Sequence, residues 1–212
     1  MKHLFPLLAL VLLCGCDKHE AILDDSPLDA ELLMTQKPST DTYYWYQGEK
    51  IPLTPSGKSS LIVFKTQGDN PGTQSMGHVL NILNEESLDI DLGSYHWDIT
   101  DDVISYVNEH NISQMVSIYP SYEIQDEEIW VSPLIIVKLK AATDVEKLRK
   151  KAEEYNVIVL GNNTHMPLWY TLFCDEHTDG APLDIANRLY ESGEFEWAEP
   201  DFVSSFLECD MP

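Results

Sequence analysis

The sequence predicts an α+β fold, and three observations carry that prediction. Apolar residues alternate with period two in several short runs. Two amphipathic stripes with helical spacing fall between such runs. Glycine, proline and asparagine punctuate the joints between them.

The C-terminal half reads most clearly. Leu134 to Lys140 forms a strand with Ile135, Val137 and Leu139 on one face. A helix follows from about Asp144 to Asn156, with Val145, Leu148, Ala152 and Tyr155 as its apolar stripe. Asn156 sits where a helix commonly ends in a left-handed residue. Val157 to Leu160 is a second strand and Leu168 to Cys174 a third, rich in β-favouring Trp169, Tyr170 and Phe173. After the acidic loop 175–180, Pro182 opens a helix that Gly193 ends, with Ile185, Ala186, Leu189 and Tyr190 on its apolar side. Phe195 to Glu199 is the last strand, which Pro200 is expected to stop. The order βαββαβ is that of ferredoxin-like folds. Two helices then cover one face of the sheet, and the other face is expected to be open.

The preceding region repeats the pattern more faintly. Ser60 to Lys65 is a strand, and Met76 to Asn84 is a short helix. Leu88 to Leu92 and Ser94 to Asp98 are paired strands around Gly93. A helix capped by Thr100 runs from Asp101 to His110, and a strand from Ile112 ends at Pro120. Trp97 to Tyr119 and Phe173 to Pro200 share the succession strand, polar turn, helix, strand, proline. Two related α/β units are therefore expected, 43–125 and 126–212, with the acidic stretch Glu123 to Glu128 at their boundary. Tyr43 to Tyr46 places two aromatic side chains on each face of a strand. They either dock between the units or present a partner-binding patch.

Residues 1–15 have the marks of an export signal: Lys2, then the apolar run Leu4 to Leu13, too short to span a bilayer. The run ends in Leu13-Cys14-Gly15-Cys16, which resembles the lipobox of bacterial lipoproteins. That resemblance implies cleavage before Cys16 and acylation of its thiol, with palmitate-like chains anchoring the protein to the cell envelope. The outer membrane is the expected site. Asp17-Lys18-His19-Glu20 leaves open whether the chain faces the periplasm or the cell surface. Residues 16–42 read as the lipidated cysteine and a polar tether.

The net charge is −23, and loss of Lys2 with the leader makes it −24. A field of that sign repels phosphate backbones, which argues against nucleic acid as a partner. Outside the leader, Cys174 and Cys209 are compatible with a disulfide or with two free thiols.

The last unit resembles the propeptide domain of subtilisin-like serine proteases, of the type found in fervidolysin-like enzymes. Leu134 to Lys140 looks like its first strand, and Asp144-Val-Glu-Lys-Leu148 like the start of its first helix. Phe195 to Phe202 is similar to the segment where such prodomains pass into the protease. Tyr43 to Leu53 resembles a leader ahead of some of these prodomains. The resemblance implies that the open sheet face docks on a subtilisin-like protease, with Glu199, Pro200, Asp201, Phe202, Val203, Ser204, Ser205, Phe206, Leu207 and Glu208 contacting its cleft. No catalytic domain follows before Pro212, so the expectation is a non-enzymatic module. It would bind, inhibit or help to fold a protease in trans, or be the remnant of a truncated one. The competing expectation is a surface lipoprotein that takes a glycan, peptide or protein partner.

Catalytic and metal motifs give less. Gly72-Thr-Gln-Ser-Met-Gly77 looks like the serine loop of subtilases, but Gln74 interrupts it, and no histidine base can be named for Ser75. His177 lies among Asp175, Glu176 and Asp179 at a spacing that fits no EF-hand loop or zinc helix. His78, His96, His110 and His165 are dispersed. Neither a cofactor nor a metal is expected.

Overall fold

The computed structural model describes residues 42–66, 73–85, 91–110, 112, 114–124 and 126–204. The leader, Cys16, the tether up to residue 41, Cys209 and the end of the chain from Ser205 lie outside them. The chain is α+β. Strands β1 (Tyr43–Tyr46) and β2 (Glu49–Pro52) form a separate hairpin. The remaining strands are β3 (Thr54–Lys65), β4 (Gln74–Ser75), β5 (Leu83–Glu85), β6 (Tyr95–Thr100), β7 (Gln114–Ile124), β8 (Glu127–Lys138), β9 (Ile158–Asn163), β10 (Trp169–Phe173) and β11 (Trp197–Ser204). These nine make one antiparallel sheet. Among the described residues three α-helices accompany it: α1 (Val103–Glu109), α2 (Val145–Tyr155) and α3 (Pro182–Glu191).

The sheet owes its shape to β8. Its residues Glu127 to Trp130 pair with β7, and Leu134 to Lys138 pair with β10 on the same edge. The opposite edge pairs with β11 along nearly its whole length. Two arms therefore leave β8 at Ser132 and Pro133. In one arm the strand order is β4-β6-β3-β7, and in the other it is β9-β10-β8-β11. Numbered by appearance in the chain, each arm has the order 2-3-1-4. Helix α1 packs on Ile62, Phe64 and Ile118 of the first arm, and α2 and α3 pack on Ile135, Val137 and Leu172 of the second. The internal repetition seen in the sequence thus recurs as a repeated strand order.

The helix-free faces of the two arms turn toward each other. Leu61, Val63 and Tyr119 of the first arm share a buried core with Leu134, Leu160 and Phe173 of the second. The sheet face expected to be open is therefore covered over part of its length by the chain's own first segment. The physical reason is area: two half-covered sheets remove more apolar surface from water by closing on each other. The boundary expected between residues 125 and 126 falls at the β7–β8 turn, where Asp126 has φ 68°, and strand pairing continues across it. A further tie runs the other way. After a 3-10 helix at Met76–Ile82, β5 crosses over and pairs with β9.

Two prolines expected to end strands do not. Pro120 lies inside β7 opposite Ser60, next to a register shift in β3 where Gly57 takes φ 66°. Pro200 lies inside β11, which pairs with β8 alone. Bulges and edge strands are the two settings in which a missing N–H need not break a ladder bond. Other boundaries moved less. The segment expected as a helix from Met76 is a 3-10 helix followed by β5, and Leu92–Ser94 is a single 3-10 turn. The cap of α1 is Asp102, whose Oδ1 accepts from Ser105 N at 3.0 Å, and Thr100 Oγ1 in turn accepts from Asp102 N. Asn156 ends α2 at φ 51°, as its position predicts.

Candidate functional site

The closure of the two arms is incomplete at the β8–β11 side, where a cleft of about 180 Å³ remains. Its walls are apolar: Leu61, Met76 and Trp97 from the first arm, and Leu134 and Val203 from the second. Four polar side chains line it, Ser132 and Asp201 inside and the exposed Gln74 and His78 at the rim.

Asp201 is the chemical centre of this cleft. Ser132 Oγ donates to Asp201 Oδ2 at 2.8 Å and itself accepts from Leu134 N at 3.1 Å, so the backbone fixes the hydroxyl that holds the carboxylate. Burial pushes the Asp201 carboxyl above its ordinary range, against the pull of Ser132 and the positive potential of His78. Glu199 is raised as well, first by burial and then by the charge of Asp201, while a hydrogen bond from Trp197 opposes the shift. His78 Nδ1 lies 2.5 Å from the Ser75 carbonyl oxygen. That contact makes Nδ1 the donor and leaves Nε2 as an acceptor in the neutral ring.

Strand alternation extends the site beyond the cleft. Residues 197, 199, 201 and 203 share one face of β11. Trp197 of β11 and Trp169 of β10 both lie opposite Lys138 of β8, so the three side chains form a row across the sheet. The two indole rings are 6.3 Å apart, and Lys138 Nζ is 5.5 Å from the Trp169 ring. Glu196 holds that lysine at 2.7 Å. Tyr46, 44% exposed, meets Trp197 edge-on at 5.9 Å. A strip therefore runs from an aromatic row, past Glu199, to the Asp201 cleft.

The residues singled out in the sequence are distributed as follows. Glu199, Pro200, Asp201, Phe202, Val203 and Ser204 are in β11, hydrogen-bonded to β8, and only Asp201, Phe202 and Val203 line the cleft. Ser205, Phe206, Leu207 and Glu208 lie outside the described residues. Ser75 caps the 3-10 helix through Gly77 N at 3.2 Å, and its hydroxyl donates to Gly93 O at 3.2 Å. His177 N donates to Asp175 Oδ1 at 2.9 Å, and the neighbouring Glu176 pairs with Lys65 at 2.5 Å. Among the described residues, no three His, Cys, Asp or Glu side chains are placed to share a cation. Cys174 is buried in the helix-side core, and burial pushes its thiol far up. Tyr43 and Trp45 face α3, and Tyr44 and Tyr46 face β11, so both pairs dock within the chain. No helix among the described residues is long and apolar enough to cross a membrane.

The sequence marks Trp169 as a strand residue but carries no sign that Ser132 would hold Asp201 or that His78 would stand at the rim of the same cleft. The alternation at 197, 199, 201 and 203 was the available signal for the strip. A strand that stops at Pro200, as the sequence predicts, ends before that face reaches the cleft. Compared with known proteins, the chain matches no family model, no curated protein and no solved structure.

Proposed function

We propose that this chain is a non-catalytic, lipid-anchored cell-envelope protein that binds an extended ligand on the strip between the Trp169–Trp197 row and the Asp201 cleft. The observation that carries the reading is the shared face. Two indoles, a lysine and two partly buried carboxylates line one stretch of sheet that runs into the cleft left between the two arms. Aromatic floors with a few fixed polar groups bind glycans, peptides and protein segments. A glycan and peptide array probed with the soluble chain tests this. Trp169→Ala and Trp197→Ala are each expected to weaken specific binding roughly tenfold or more, the effect of about 1.4 kcal/mol. Array hits indifferent to both substitutions would count against it.

The anchor rests on the lipobox-like Leu13 to Cys16. Cys16→Ala is expected to move the protein from the membrane to the soluble fraction, as followed by fractionation and by mass spectrometry of the N-terminal peptide. An unchanged distribution would reject lipidation at Cys16.

A second reading is a subtilase-propeptide-like module, and strand order favours it. The arm β11-β8-β10-β9 has the 4-1-3-2 order of a ferredoxin-like unit, with both helices on one face. On this reading Ser205 to Glu208 carry the contact with a protease cleft, because Glu199 to Ser204 are engaged in the sheet. The covered part of the sheet face leaves less room for the docking that such prodomains use. Mixing the soluble chain with several secreted subtilases decides it: no inhibition and no complex would remove this reading.

A further inference from the structure

We infer that the Asp201 cleft is a receptor for one basic side chain, arginine or lysine, of an extended peptide segment laid along the strip. The inference rests on the binding role proposed above and names the ligand class for that site. Three observations on the chain support it.

The first is an unmatched charge. No lysine or arginine among the described residues pairs with Asp201 or Glu199, and none lines the cleft. The described cations near carboxylates are spent elsewhere, as in Lys65 with Glu176 and Lys138 with Glu196. Asp201 is held by Ser132 at Oδ2, and a carboxylate has room for further donors. Keeping such a group half-buried without a cation costs stability, and an incoming guanidinium or ammonium offsets that cost.

The second is shape. The volume of about 180 Å³ equals roughly six waters at about 30 Å³ each. The walls suit the methylene stem of a long basic side chain, with Leu61, Met76 and Leu134 along it. Trp97 adds an indole at the wall, a surface that attracts cations.

The third is the field and the spacing. A net charge of −23 draws basic segments toward the chain. Asp201 is four residues from Trp197 on the same face of β11, about 13 Å at ~3.3 Å per residue. A peptide of four or five extended residues spans the two. Among the described residues that line the cleft, His78 at the rim is the one side chain of basic type.

The test uses the soluble chain with a hexapeptide carrying one arginine and, four residues away, one tryptophan. Calorimetry compares it with the same peptide bearing glutamine in place of arginine. The expected result is tenfold or weaker binding of the glutamine peptide, a similar loss on Asp201→Asn, and affinity that falls as salt is raised. Asp201→Asn keeps an acceptor for Ser132, so its melting temperature at pH 7 is expected to be no lower than that of the parent. Equal affinity for the two peptides overturns the inference. So does a neutral glycan bound through Trp169 and Trp197 with no effect of Asp201→Asn, although that result leaves the binding role standing. Binding of neither probe class, with an array insensitive to Trp169→Ala, overturns both.

Discussion

Phe173→Ala is expected to remove about 3–5 kcal/mol of stability, lower Tm on the order of 10 °C, and leave one cooperative transition. Phe173 has no exposed surface and meets Tyr95 edge-on at 5.0 Å. It sits in the core where Leu61, Val63 and Tyr119 of the first arm pack against Leu134 and Leu160 of the second. A cavity there loosens both arms at once, since each arm packs its helix-free face against the other in this core. Denaturation followed in parallel by tryptophan fluorescence and by circular dichroism checks it. Two separated transitions would show that the arms fold independently and that the shared core is dispensable.

Trp45→Ala should act locally instead. A two-stranded hairpin is marginal by itself in water, so β1–β2 depends on what it packs against. Trp45 stacks on Tyr190 at 4.9 Å and donates Nε1 to Glu191 at 3.0 Å, Tyr43 OH donates to Glu191 at 2.8 Å, and Asn187 Nδ2 donates to the Tyr43 carbonyl at 2.8 Å. The stacking and the charge-assisted bond together are worth about 2–3 kcal/mol. Amide exchange in the hairpin should therefore rise about 30- to 160-fold, while the sheet melts nearly as before. Equal destabilisation of the sheet would mean that the hairpin is part of the main cooperative unit.

The same contact sets a pH dependence. The hydrogen bond from Trp45, then that from Tyr43, holds the Glu191 carboxyl below its ordinary range, with Lys50 nearby. A carboxyl depressed in the folded state contributes stability above its unfolded pKa and loses it as pH falls through the folded one. Hairpin protection should thus be full at neutral pH and decline below the ordinary carboxylate range of about 4.3. Glu191 is largely exposed, so the decline is modest. In Trp45→Ala it should be smaller still, and exchange measured at pH 3 and pH 7 separates the cases.

Much of the fold was legible because it is governed by local rules. The stripe Val145, Leu148, Ala152 and Tyr155 needs only helical spacing to become α2, and the alternation of Ile135, Val137 and Leu139 needs only a pleat to face the helices. The left-handed Asn156 is likewise local chemistry. The candidate site was less legible. Its parts come from β3, β6, β8, β11 and the 3-10 helix after β4, and Ser132 meets Asp201 across 69 positions of sequence. No window along the chain brings these residues together.

The sequence by itself determined the alternation of strands and helices, the repeated succession of elements, the negative field and the lipobox-like Leu13 to Cys16. Each of these depends on near neighbours in the chain or on composition. Only the tertiary structure decided that β8 would serve both arms from one edge and that Pro120 and Pro200 would lie within strands. It also decided that the helix-free faces would close on each other, short of the cleft. Those outcomes depend on which surfaces remove most apolar area from water when all the elements are present. That comparison is made between distant segments, and the identity of neighbouring residues does not record it.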